Sequence, residues 1–178
     1  MKKRVARNNL QMASKEPMPK KPLKLISGGQ TGADRAALDV AIELGMDYGG
    51  AVPKGRIAED GPLDAKYKNM TELDAPDYDV RTEKNVTDAD ATLIFTYGII
   101  GGGSALTIEI AKKYKKPFLH VDFNTLSEDE SVKRIKGWLN KIKPPVLNVA
   151  GSRESTSKGI YEKVYRVLKN ALNYSRSD

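Results

Sequence analysis

A chain of 178 residues with 39% hydrophobic and 30% charged residues has the size and balance of one globular domain with a real core. With no cysteine and one histidine, His120, it excludes disulfides, thiolate chemistry and any metal site built from Cys or His. The formal net charge is +7, but residues 1–22 hold seven basic residues against the single acid Glu16, so the rest is close to neutral and nucleic acid is disfavoured as a partner.

Residues 1–22 are polar and basic and carry Pro17, Pro19 and Pro22, which reads as an extended N-terminal arm or disordered leader. No apolar run follows Met1-Lys2-Lys3-Arg4, and no stretch approaches the roughly 18 apolar residues of a membrane span. A cytoplasmic protein with no membrane partner is therefore expected. A ligand-binding α/β domain should occupy residues 23–174.

The first strand reads as Leu23–Ser27, followed by Gly28-Gly29-Gln30-Thr31-Gly32 and an amphipathic helix from Ala33 to Leu44 that Gly45 ends. A glycine turn feeding a helix N-terminus offers free N–H groups and the positive end of a dipole, which invites an anion. A second strand, Tyr48–Val52, closes a βαβ unit. The segment Pro53–Pro62 is charged, broken by glycine and proline, and too long for a minimal connection, as binding loops often are. Residues 63–80 read as irregular and Arg81–Asp88 as a short helix. The apolar run Ala91–Thr96 is a strand covered on both faces.

A second glycine turn, Tyr97–Ser104, leads into a helix over Ala105–Lys115, then a strand over Pro117–Val121. Ser127 and Glu130 form a capping box for a helix with Val132, Ile135, Leu139 and Ile142 at helical spacing. A fifth strand, Pro145–Ala150, precedes a third turn, Gly151–Ser157, and a final helix striped by Ile160, Val164, Val167, Leu168 and Leu172. About five strands alternating with helices predict a doubly wound parallel sheet in a single domain. Order 2-1-3-4-5 would set strands one and three side by side and bring both glycine turns to the switch point.

The first turn matches G-x-G-x-x-G only from its second glycine, with Ser27 at the first position. Val52 and Pro53 stand where a ribose-binding acid would be, so a nicotinamide dehydrogenase is disfavoured. Walker and G-x-S-x-G patterns are absent. Two glycine turns instead suit a ligand with two separated anionic ends, and Arg35, Arg56, Arg81 and Arg153 lie where a guanidinium could grip an oxyanion. Asp34, Glu59, Asp60 and Glu109 are carboxylates near these turns, but no nucleophile–base pair is evident.

The blocks Ser27–Asp39, Gly49–Arg56, Ala58–Pro62, Arg81–Val86, Asp88–Asp90 and Gly102–Glu109 resemble, in order, those of the putative molybdenum carrier family. That family is a circularly permuted YpsA-like branch of the superfamily that includes LOG-type phosphoribohydrolases and the DNA-processing protein A. The resemblance implies a Rossmann-like fold, a homo-oligomer, and a small anionic or phosphorylated ligand such as molybdenum cofactor, molybdate or a nucleotide. Against the phosphoribohydrolase pattern P-G-G-x-G-T-x-x-E, only Gly102, Gly103 and Glu109 match. Gly101, Ala105 and Leu106 replace its proline, glycine and threonine.

Turns and matching blocks together nominate Ser27, Gly28, Gly29, Gln30, Thr31, Gly32, Asp34, Arg35, Lys54, Arg56, Glu59, Asp60, Arg81, Asn85, Gly101, Gly102, Gly103, Ser104 and Thr107 as ligand-binding. The leading expectation is a carrier that holds its ligand between two anion loops without chemistry. One alternative is a nucleotide N-glycosidic hydrolase with Glu109 as acid–base residue. The other is a single-stranded nucleic-acid-binding protein acting through the basic arm.

Overall fold

Residues 23–173 are described by a computed structural model, so the basic arm over residues 1–22 lies outside the described residues. The chain runs β1 (Lys24–Ser27), α1 (Ala33–Glu43), β2 (Asp47–Val52), a 3₁₀ turn at Lys54–Arg56, β3 (Ile57–Ala58), β4 (Gly61–Pro62) and β5 (Met70–Glu72). It continues α2 (Tyr78–Asp88), β6 (Ala91–Thr96), α3 (Gly102–Lys113), β7 (Phe118–Asp122), α4 (Glu128–Ile142), β8 (Val146–Gly151) and α5 (Ile160–Leu172). Six strands form one parallel sheet in the order β5-β2-β1-β8-β6-β7, and β3 pairs antiparallel with β4.

Apolar residues placed on both sides of the central strands bury two helical layers. Helices α1, α4 and α5 pack together on one face around Ala37, Val40, Ile135, Val164 and Leu168. Helices α2 and α3 pack on each other on the opposite face around Val86, Ile110 and Ala111. This is the doubly wound, Rossmann-like arrangement expected from strand–helix alternation. Among the described residues no helix is long and apolar enough to cross a membrane.

Strand order differs from expectation. The last strand, β8, lies between β1 and β6, pairing Leu147 with Leu25 on one side and with Ala91 on the other. Leu147 and Val149 are fully buried, and Asp90 ties β8 to the start of β6 by accepting from the Val146 amide at 2.9 Å. Gly151 permits the close approach, since a Cβ there would stand 2.3 Å from the Phe95 carbonyl oxygen and 2.7 Å from Ala33 Cβ. The sixth strand, β5, extends the sheet beyond β2 within a segment that reads as irregular. Helices α2 and α3 each begin three residues earlier than their hydrophobic pattern implies.

The capping box of α4 is present: Ser127 Oγ accepts from the Glu130 amide at 3.2 Å, and Glu130 Oε2 accepts from the Ser127 amide at 2.9 Å. Ser127→Ala should cost about 1 kcal/mol and lower the melting temperature by about 2–4 °C. Urea denaturation of the two proteins checks it.

Candidate functional site

The two sides of the sheet diverge between β8, which leads into α5 on one face, and β6, which leads into α3 on the other. At their carboxyl ends three loops meet: Ser27–Gly32, Tyr97–Gly101 and Gly151–Ser157. They enclose, with the first turns of α2 and α3, a cleft of about 500 Å³. Such a crevice at the divergence of strands is where open α/β sheets hold ligands.

The first glycine turn faces this cleft but already contains its own anion. Asp34, only 3% exposed in the first turn of α1, folds back so that Oδ2 accepts from the Gln30 amide at 3.4 Å, and the Gly28 amide also donates to it. Burial pushes its carboxyl up, while the Arg81 guanidinium, bonded through Nη1 at 3.0 Å, pulls it back down. Arg81 comes from α2 and lies across Gly28, where a Cβ would stand 1.4 Å from Nη1. Gly28 is glycine to let that side chain pass. Two further amides are taken: Thr31 N–H donates to Gln30 Oε1 at 3.0 Å and Ala33 N–H to the Ser152 carbonyl at 3.2 Å.

The second glycine turn is open. Gly101, Gly102 and Gly103 are exposed, and a Cβ on any of them would meet nothing within 4 Å. The Gly102 and Gly103 amides, the first two of α3, donate to no group among the described residues. Behind them Ser104 is buried, and Thr107 Oγ donates to the Gly103 carbonyl at 2.7 Å, which leaves the helix end itself uncapped by any side chain. Arg153, from the third turn, lines the same cleft without an ion pair among the described residues, its guanidinium 5.0 Å from the Tyr78 ring.

The nominated residues therefore divide. Gly28, Gln30, Asp34, Arg81, Asn85, Gly101, Gly102, Gly103, Ser104 and Thr107 line the cleft. Asn85 also serves the fold, accepting from the Ala51 amide at 2.7 Å and donating to its carbonyl at 3.0 Å. Thr31, Gly32, Arg35, Glu59 and Asp60 line a separate, shallower depression with Asp39, Tyr67 and Tyr161. Ser27, Gly29, Lys54 and Arg56 line neither. Ser27 Oγ donates to the Val149 carbonyl at 2.6 Å, and Arg56 donates to the carbonyls of Leu63, Asp64 and Tyr67, stapling its own loop. Glu109 is exposed on α3 outside the cleft lining. Tyr78, Asp79 and Asn148, which no sequence motif singles out, also line the cleft, with Tyr97 of the second turn and Gly151, Ser152, Arg153, Thr156 and Ser157 of the third. The run Gly151-Ser152-Arg153, a third glycine turn at the end of a strand with Arg153 as a candidate oxyanion grip, thus belongs to the cleft.

Beside the cleft, the charged segment after β2 is held down by an ion pair and by hydrogen bonds. Arg35 donates to both Asp60 oxygens at 2.9 and 3.0 Å, and to the Gly29 carbonyl at 3.2 Å. Glu59 accepts from Thr31 Oγ and, at 2.5 Å, from Ser155 Oγ, joining the first and third turns. The Arg35 hydrogen bonds hold the Asp60 carboxyl below its ordinary 3.8. Its contribution is then complete above pH 3.8 and lost as pH falls through the lower folded-state value. Asp60→Asn should thus narrow its stability gap to the parent below about pH 4, by a few tenths of a kcal/mol because the pair is half exposed. Melting curves from pH 3 to 7 read this out. No cluster of three or more His, Cys, Asp or Glu side chains suited to a metal ion occurs among the described residues.

Comparison with known proteins places this geometry. Residues 25–172 match the model of the circularly permutated YpsA SLOG family, and the chain belongs to that family. A solved structure from Syntrophus aciditrophicus SB, named as a putative molybdenum carrier protein, is 47% identical. It superposes with a TM-score of 0.83, covering 86% of this chain and 96% of that one. No curated protein matches.

Proposed function

We propose that this member of the permuted family is a binding or carrier protein for a small phosphorylated or oxo-anionic ligand seated in the cleft between β8 and β6. The observation that carries the reading is the open start of α3. Two unpaired amides, an uncapped dipole and the buried Ser104 face a cleft that Arg153 borders from the other side. An anion at a helix N-terminus accepts from the free amides and gains from the dipole. The first turn contributes as a wall, its Gly28, Gln30, Thr31 and Ala33 amides being committed to Asp34, Gln30 and Ser152.

The cargo of the related protein's name, molybdenum, fits this chemistry in two forms. Molybdate is an oxyanion, and molybdenum cofactor carries a phosphate at one end and an oxo-anionic centre at the other. Neither needs a Cys or His ligand when held through its oxygens, and hydrogen-bond donors are what the open end of α3 presents. The two carboxylates of the cleft are Asp34, bound to Arg81, and Asp79 at the start of α2. Binding without turnover is the simplest use of such a lining.

Differential scanning with inorganic phosphate, molybdate and nucleoside monophosphates tests the reading. At least one should raise the melting temperature by several degrees at saturation. If none does, the cleft is not an anion site and the proposal falls.

A further inference from the structure

The open second turn is tethered at its two ends and nowhere between. Ile99 and Ile100 make no hydrogen bond among the described residues, and Ile99, which lines the cleft, is 95% exposed. At the far end the Gly101 carbonyl accepts from the Ser104 amide at 3.2 Å, which joins the turn to α3. At the near end the tethers to Gly98 come from the carboxyl ends of β6 and β7. Strand β7 is an edge of the sheet and contributes no residue to the cleft lining.

Asp122 holds Gly98 directly. Its Oδ1 accepts from the Gly98 amide at 2.7 Å and from the Asn124 amide at 2.9 Å. His120 acts one step removed. Its Nε2 lies 2.7 Å from Oγ of the fully buried Thr96, and that oxygen lies 3.4 Å from the Gly98 carbonyl oxygen. A hydroxyl has one proton to give, and a carbonyl oxygen can only accept. Both contacts are hydrogen bonds at once only if His120 donates from Nε2 to Thr96, and Thr96 donates to Gly98. With the ring hydrogen on Nδ1, Thr96 would spend its proton on the imidazole and leave the Gly98 carbonyl without it. Burial pushes the His120 pKa below its ordinary 6.5, with Asp122 of its own strand opposing and Arg134 of α4 adding to the effect. The ring is therefore neutral at pH 8 and has a single N–H to place.

We infer that His120 is a positioning residue for the anion site: its Nε2–H, relayed through the Thr96 hydroxyl to the Gly98 carbonyl, fixes the second glycine turn for binding. The inference rests on the anion reading of α3 above and adds a residue outside the cleft on which affinity depends. Gly98 has a left-handed φ of +69° and is followed by two residues without hydrogen bonds, so the turn has little else to keep its shape. Released at its near end, the turn must be ordered when the anion arrives, and that ordering cost is subtracted from the affinity.

Inorganic phosphate, molybdate and adenosine 5′-monophosphate are titrated into the parent by calorimetry at pH 8, and the tightest of them is carried to the variants. Thr96→Val and His120→Leu should each weaken binding about tenfold, and the double variant no further, because both break one relay. Thr96→Ser keeps the hydroxyl and His120→Gln offers an amide N–H in place of Nε2–H, so both should stay within about threefold of the parent. Melting curves confirm that the variants fold. Nitrogen NMR of the parent needs no substitution: His120, the sole histidine of the chain, should carry its hydrogen on Nε2 at pH 8. Full affinity in Thr96→Val or His120→Leu, losses that the conservative variants share, or a hydrogen on Nδ1 overturn this inference and leave the anion reading standing. Failure of all three compounds to bind the parent overturns both.

Discussion

Arg81→Met is expected to cost about 3–5 kcal/mol of folding stability at neutral pH, the largest loss of any single change outside the apolar core. The reason lies in what it leaves behind. Asp34 is 3% exposed, and its carboxylate keeps the amides of Gly28 and Gln30 but loses its one guanidinium. An uncompensated buried charge is the costly outcome. The pair itself contributes less, because both groups had to be dehydrated to form it. Burial already raises the Asp34 carboxyl above its ordinary 3.8, and without Arg81 it rises further. A carboxyl raised on folding favours the fold at low pH and loses that benefit as pH climbs through the folded-state value. The deficit of Arg81→Met should therefore shrink on acidification from pH 7 to pH 5. Adding Asp34→Asn keeps an oxygen for the two amides and removes the charge, and should recover the deficit to about 1–2 kcal/mol. Urea titrations of the single and double variants at both pH values decide it. A loss that is independent of pH and additive in the double would show that Asp34 is not ionised against Arg81.

That pair also explains where sequence reading of the site stopped. The spacing Ser27-Gly28-Gly29 ahead of an amphipathic helix correctly announces strand, turn and helix, and its glycines invite an anion. What spacing cannot show is that the anion is Asp34, five residues from Gly29 and turned back into the same turn. Nor can it show that Gly28 is small because a side chain from α2 crosses it. The reverse holds at Gly101 and Gly103, where no packing demand explains the glycine and the free helix end remains, while Gly102 has a left-handed φ of +50°. A glycine that a Cβ would ruin and a glycine that a Cβ would not touch look identical in sequence.

The fold was more legible than its order. Ala91–Thr96 is apolar at every position but its threonines, and a strand buried on both faces follows directly. The same reading applies to β1 and β8, and this is why their neighbours were undetermined: complete burial says that a strand is central, not beside which strand it lies. Gly151, pressed between Phe95 and Ala33, was the one local sign that β8 adjoins both β6 and α1. Short β5 lacked a pattern, since Thr71 and Glu72 are exposed. The start of α2 was hidden because Asp77 makes no side-chain cap and Val80 points outward.

Gly103→Asp is expected to separate binding from stability more sharply than any other substitution in the cleft. A Cβ at this position meets nothing within 4 Å, and the residue lies in the first turn of α3. Replacing a helical glycine and placing a carboxylate in the first turn should each help, together by about 1 kcal/mol. The same carboxylate sits where the ligand's anionic group would accept from the Gly102 and Gly103 amides, and it repels that group at short range. A loss on the order of 100-fold in affinity is expected for phosphate-bearing ligands. Gly103→Ala separates charge from bulk and should keep affinity within a few-fold while gaining similar helix stability. The pairing of a higher melting temperature with lost ligand response cannot come from damage to the fold. Undiminished binding in Gly103→Asp would move the anion away from α3, toward Arg153 alone, and with it the whole orientation of the ligand in the cleft.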